Sequence, residues 1–178
     1  MNDLHKLLIE RARLTAKIRD YFQNAGVVEV TTPALSFAGN TDPAIASFVC
    51  YDEKSSPLYL HTSPEFFMKR LLCEGSGSIY QICQVYRCEE QGRWHNPEFT
   101  MLEWYRLDYG YQQLMQDVLL LLEAIVGDDL SPVFVSYAQL FEKFDLNPHR
   151  TDAKACQRVA QQQGLVLNDP DSLNCDQW

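Results

Sequence analysis

Between Tyr80 and Tyr105 the chain reads YQICQVYRCEEQGRWHNPEFTMLEWY, two apolar runs separated by Arg87, Glu89, Glu90, Arg93, His95, Asn96 and Glu98. A plain hairpin needs about two to five turn residues, so a polar connection of roughly ten is longer than chain reversal requires. Arg87 stands where the first run ends. A guanidinium held there presents permanently charged, fixed donors that can fork onto phosphate or carboxylate. On residue type alone it suits a surface ion pair with Glu89 or Glu90 equally well. A lone histidine in such a loop is more often structural than catalytic, which keeps His95 out of an acid–base role. Upstream, LHTSPEFFMKRLL at positions 60 to 72 places Glu65 in a first helical turn, where backbone donors orient a carboxylate; read by itself, TSPE is a capping sequence.

The flanking pattern shows what must hold these groups. Ile79, Tyr80, Ile82, Cys83, Val85 and Tyr86 predict a mostly buried strand, and Phe99, Met101, Leu102, Trp104 and Tyr105 a second. Leu4, Leu7, Leu8, Leu14, Ile18 and Phe22 recur near a period of 3.6, so residues 3 to 25 read as an amphipathic helix capped by Asn2 or Asp3 and stopped by Gly26. Val27, Val28 and Val30 predict a short strand ending at Thr31, Thr32 and Pro33. Residues 36 to 57 read as a loop interrupted by a strand from Phe48 to Tyr51, and Leu58 to His61 as the next strand. Thr62 and Ser63 before Pro64 predict an N-cap and a first-turn proline for a helix to about Glu74. Leu114, Met115, Val118, Leu121, Leu122 and Ile125 give a helix apolar enough to lie on a sheet, stopped by Gly127. Further on, a strand at Phe134, helices over 137 to 144 and 152 to 163, and turns at Pro148 and Pro170 are expected.

Composition bounds the rest. The 178 residues are 46% hydrophobic and 12% aromatic, enough for a globular core. A net charge of -9 and a pI near 4.8 give no long-range attraction to a polyanion. Cys50, Cys73, Cys83, Cys88, Cys156 and Cys175 form no CxxC pair, so no zinc site is read and reduced thiols are expected. The polar start MNDLHKLL lacks the apolar stretch of a signal peptide, and a cytoplasmic protein without membrane contact is the expectation.

The spacing RxEExGRxHNPEFTMLEWY resembles motif 2 of the class II aminoacyl-tRNA synthetases. Together with LHTSPEFFMKRLL it is most similar to the lysine-type enzymes, and among them to the short paralogues that ligate lysine onto elongation factor P. The helix, strand and proline over residues 8 to 33 resemble motif 1, the dimer interface of that family. The resemblance covers about residues 8 to 126. It implies an α/β fold of α+β type, an antiparallel sheet flanked by helices, forming the N-terminal part of a synthetase-like catalytic domain over 1 to 178. It also implies use of ATP with Mg²⁺, activation of lysine or β-lysine as an adenylate, transfer to a lysine side chain of elongation factor P, and a homodimer. Ligation to tRNA and an inactive binding module are the alternatives. No anticodon-binding OB domain precedes residue 8 and no motif 3 follows Tyr105, so a truncated domain is expected and tRNA is not the expected acceptor.

By the same resemblance Arg87 is the catalytic cation on the α-phosphate. Glu89 accepts from the adenine amino group, Asn96 contacts ATP and Phe99 is the platform beneath the adenine. Ser63, Pro64 and Glu65 lie against the amino acid, whose ammonium group needs a carboxylate, and Tyr105 contacts the lysine side chain. No metal ligand is assigned.

Overall fold

The computed structural model describes residues 3–88 and 92–165, and the chain divides into two compact units, Met1–Leu130 and Ser131–Trp178. The first unit is α+β. Helix α1 (Asp3–Asn24) leads through Gly26, whose φ of 68° suits a residue without Cβ, into β1 (Val28–Glu29). Then follow β2 (Leu35–Ser36), β3 (Val49–Tyr51), β4 (Pro57–Leu60), α2 (Glu65–Cys73), β5 (Ile79–Tyr86), β6 (Glu98–Tyr105) and α3 (Tyr111–Val126).

Two three-stranded sheets result, in the orders β1-β5-β6 and β2-β4-β3. The expected antiparallel pairing holds for β5 and β6, where Tyr86 faces Glu98 and Ile79 faces Tyr105 across eight matched pairs. The sheet is nevertheless mixed, because β1 adds to β5 in parallel. Helix and loops between β1 and β5 supply the crossover that parallel pairing requires. Strand β2 carries only two residues and no alternation, which is why the sequence pattern did not predict it.

Side chains alternate across a strand, and this separates the β5–β6 sheet into two faces. Tyr80, Ile82, Leu102 and Trp104 pack with Phe22, Val27 and Leu121 into the core between the sheet, α1 and α3. Phe22 and Tyr80 stack with centroids 4.4 Å apart, and Trp104 tilts against Phe22 at 5.7 Å. Helix α3 thus meets the sheet as expected, and Gly127 ends it at φ 85°. The apolar row of α1 is covered only at its C-terminal end: Leu4, Leu7 and Leu8 are all more than half exposed.

Buried polar groups tie these elements together. Asp117, 4% exposed on α3, accepts from Tyr21 Oη at 2.6 Å and Trp104 Nε1 at 3.0 Å, and lies 3.3 Å from Arg106 Nε. Glu29 is gripped by Arg19 and by Tyr80 Oη. Burial and then this bond push the Tyr80 phenol up to about 12. In the second unit, α4 (Tyr137–Glu142) is capped by Ser136 and α5 (Ala153–Gln162) by Asp152. The strand expected at Phe134 is absent, since residues 131–136 have no partner strand and Pro132 removes a donor. The turn expected at Pro170 lies outside the described residues.

Asp117→Ala strips the counter-charge from Arg106 and two further donors at once. It is expected to lower the unfolding free energy by about 3 kcal/mol or more. Trp104→Phe, which deletes one donor, should lower it by about 1 kcal/mol. Urea denaturation of both variants checks the ordering.

Candidate functional site

The second face of the β5–β6 sheet carries Phe99, Met101, Glu103 and Tyr105 on β6, opposite Val85, Cys83, Gln81 and Ile79. Arg87 follows Val85 by two residues and therefore belongs to the same face. The ladder runs one bond past the strands, from Arg87 N–H to Pro97 O at 2.8 Å, which closes the neck of the long loop beneath that arginine. Tyr86 N–H and Cys88 N–H on either side donate to His61 O and Ala46 O. The Arg87 side chain reaches Thr62 O through Nε at 3.4 Å and lies over the Phe99 ring at 5.2 Å from its centroid. An arginine on the last rung of a two-sided ladder is more fixed than a mid-loop residue.

Helix α2 supplies the opposing wall. The expected cap is not formed: Pro64 itself occupies the N-cap position, and no side chain bonds the first turn. Thr62 Oγ1 instead accepts from Asn40 Nδ2 at 2.8 Å, which joins the β2–β3 connection to the start of α2. Pro64 is fully buried, so it sets the wall's position and not its chemistry. Glu65 begins the helix, where the unpaired amide donors of the first turn favour a carboxylate.

Between these walls is a cavity of about 610 Å³ lined by Asn40, Thr62, Ser63, Glu65, Arg87, Glu103 and Tyr105 among others. It brings together four of the residues singled out from sequence, Ser63, Glu65, Arg87 and Tyr105. Phe99 adjoins it beneath Arg87. Asn96 is exposed on the loop and is not part of that lining, and Glu89 lies outside the described residues. A second cavity of about 620 Å³, largely apolar, shares Asn40, Thr62, Ser63 and Glu65 with the first. Among the described residues, no group of three or more His, Cys, Asp or Glu is placed to hold a metal ion.

Sequence reasoning missed Glu103. The signal was available, because alternation puts it on the same face as Tyr105, two residues on. Tyr105 Oη donates to Glu103 Oε1 at 2.7 Å. Burial pushes the Glu103 carboxyl above the usual carboxylate range; the Tyr105 bond, Lys69 and His61 oppose the shift, and Glu65 reinforces it. Burial, and then the bond to Glu103, likewise raises the Tyr105 phenol. The cleft is thus bipolar, lined by a guanidinium that lies over an aromatic ring and by two carboxylates, one of which raises the pKa of the other. The cationic end suits a phosphate and the anionic end an ammonium group.

The sequence profile described as tRNA synthetases class II (D, K and N) matches residues 1–158. Three curated relatives, each named elongation factor P–(R)-β-lysine ligase, are similar over most of the chain. That of Sodalis glossinidius is 47% identical over 76% of this chain and 43% of its own length. That of Photobacterium profundum is 43% identical over 93% and 53% respectively, and that of Erwinia tasmaniensis 44% over 88% and 50%. The chain spans about half the length of the curated relatives it matches. Among the described residues no helix is long and apolar enough to cross a membrane.

Folding raises the Glu103 pKa, so between its ordinary and folded values the native state holds the extra proton. Stability therefore rises as pH falls through that window, and the unfavourable contribution is fully present only above the folded pKa. Glu103→Gln is expected to raise the denaturation midpoint at pH 7 and to leave it nearly unchanged at pH 4. In an NMR titration, Glu65→Gln should bring the Glu103 pKa only part of the way down, because burial is the larger cause.

Proposed function

The chain belongs to the class II tRNA synthetases of the D, K and N group, and we propose that its cleft activates lysine or β-lysine with ATP for transfer to a lysine side chain of elongation factor P. The observation that carries the reading is the cleft whose lining brings Arg87 together with Glu65 and Glu103. In the activation step a carboxylate oxygen of the amino acid attacks the α-phosphorus, an oxygen–phosphorus bond forms, and the bond to pyrophosphate breaks. Charge spreads over the phosphoryl oxygens, and a preorganised cation that strengthens its hold as the transition state forms accounts for much of such catalysis. Arg87 supplies that cation. In the second step the ε-amine of the acceptor takes the acyl group and AMP leaves with the bonding electrons.

Glu65 takes the ammonium group next to the reacting carboxylate, and Glu103, held by Tyr105, takes the side-chain ammonium. Ser63 lines the wall between them. Phe99, with Asn96 and Glu89 from the loop, is assigned to the adenine end. Mg²⁺ bound with the nucleotide would neutralise charge on the leaving pyrophosphate, and no group of three or more ligating side chains among the described residues is placed to hold it. The names of the relatives favour elongation factor P over tRNA as acceptor, and the net charge of -9 agrees with an acceptor other than a polyanion. The uncovered leucines of α1 support a homodimer through that helix. A cytoplasmic location follows from the substrates.

Lysine-dependent exchange of pyrophosphate into ATP tests activation, and labelled lysine offered with elongation factor P or with tRNA tests the acceptor. Charging of tRNA alone would reject the proposed acceptor. Arg87→Ala is expected to reduce exchange by about 10²-fold or more with circular dichroism unchanged. Glu103→Gln should weaken lysine far more than norleucine, by about tenfold or more, since a buried charge pair is lost only with the diammonium ligand.

A further inference from the structure

Lys69 follows Glu65 by one helical turn, and its Nζ lies 2.5 Å from Glu65 Oε1. The two side chains are 56% and 44% exposed, so the pair borders open solvent. Its influence reaches Glu103 on β6. Glu65, and more weakly Glu103, holds the Lys69 ammonium above its usual pKa, and Lys69 in turn lowers that of Glu103. Lys69, Glu65, Glu103, Tyr105 and His61 therefore form one electrostatic group drawn from α2, β6 and the residue that follows β4.

A primary ammonium on a flexible four-carbon stem thus already rests on the carboxylate assigned above to the amino acid's ammonium. The two groups carry the same charge and the same three donors, and like charges at one acceptor repel. We propose that Lys69 is a built-in competitor: it occupies Glu65 in the empty cleft and must swing away when the amino acid enters, so that binding is an exchange of one ammonium for another. This rests on reading the cleft as a lysine site. While the cleft is empty, Lys69 offsets the repulsion between Glu65 and Glu103. On loading, only a ligand that also satisfies Glu103 outcompetes the tethered group, because an ammonium that merely replaces another on Glu65 gains nothing net. Lysine and β-lysine bring the second ammonium; an amino acid with an apolar side chain does not.

The test compares lysine binding by calorimetry to the full chain and to Lys69→Met, with the Lys69 ¹⁵Nζ resonance of the wild-type chain followed during the same titration. Removing the competitor should tighten lysine about two- to fivefold, the scale of a solvent-bordering pair at this spacing. The Lys69 resonance should move to the position of an unpaired lysine at saturation. Equal or weaker binding to Lys69→Met, or a Lys69 resonance that stays fixed while lysine saturates the wild type, would overturn the competitor role and leave the lysine site standing. Absence of lysine binding to both proteins would instead reject the site, and the competitor with it. The resonance shift in the wild type decides the question even if the variant does not fold.

Discussion

Everything in the first unit depends on the register of β5 against β6. Eight matched pairs fix which side chains point to which face, and a slip of one residue would exchange the two sets completely. In the observed register Tyr80, Ile82, Leu102 and Trp104 enter the core, while Met101, Glu103 and Tyr105 enter the cleft. The core side makes the choice. Stacking of Tyr80 on Phe22 and the Trp104 bond to Asp117 are available in one register only, and the alternative would bury Glu103 among apolar rings. The chemistry of the cleft is thereby determined by packing on the opposite side of the same sheet. Asp117 does not itself line the cleft, yet through Trp104 it holds the strand that presents Glu103 and Tyr105.

The same ladder explains why the loop can be long without loosening its arginine. Cys88 to Asn96 contribute the length, but the Arg87 to Pro97 bond closes the loop at its base. Bonds from Tyr86 and Cys88 to His61 O and Ala46 O hold the outer side. Arg87 is thus anchored through its backbone on both sides, and its guanidinium is further limited by Thr62 O and the Phe99 ring. Preorganisation of this kind is what the proposed role of Arg87, a cation meeting charge that develops in the transition state, would need.

How far the sequence disclosed this arrangement depends on the range of each interaction. The elements with strong local periodicity, α1, β5, β6 and α3, were legible because alternation and 3.6-residue spacing are carried within the segment itself. The cleft residues Ser63, Glu65, Arg87 and Tyr105 were legible through their motif. Strand β2 was not, since two residues carry no pattern and the strand exists only by pairing with β4. The capping role given to Thr62 failed for a similar reason: its hydroxyl is committed to Asn40, twenty-two residues earlier in the chain. Phe134 misled because β-branched and aromatic neighbours predict a strand only where a partner strand exists to complete the ladder. Glu103 was overlooked because a single acid in an apolar run reads as a solvent-facing strand position, and its partial burial arises from tertiary packing that the run itself does not carry.

That burial is the feature with the greatest bearing on selectivity. A carboxylate partly removed from water and close to a second carboxylate is unfavourable in the empty protein, as the upward shift of Glu103 records. The Tyr105 hydroxyl compensates in part, and only a cation completes the compensation. On the proposed reading, an amino acid with an apolar side chain of lysine's length would fill the same space and leave the carboxylate desolvated and unpaired, whereas lysine would relieve it. Discrimination of this kind rejects the wrong ligand more strongly than shape alone, since a missing methylene is worth only about 1–3 kcal/mol while an unpaired buried polar group can be worth several times more. On that reading the cleft can be open to solvent and still be selective, provided that Glu103 stays charged, held by Tyr105 and half-buried.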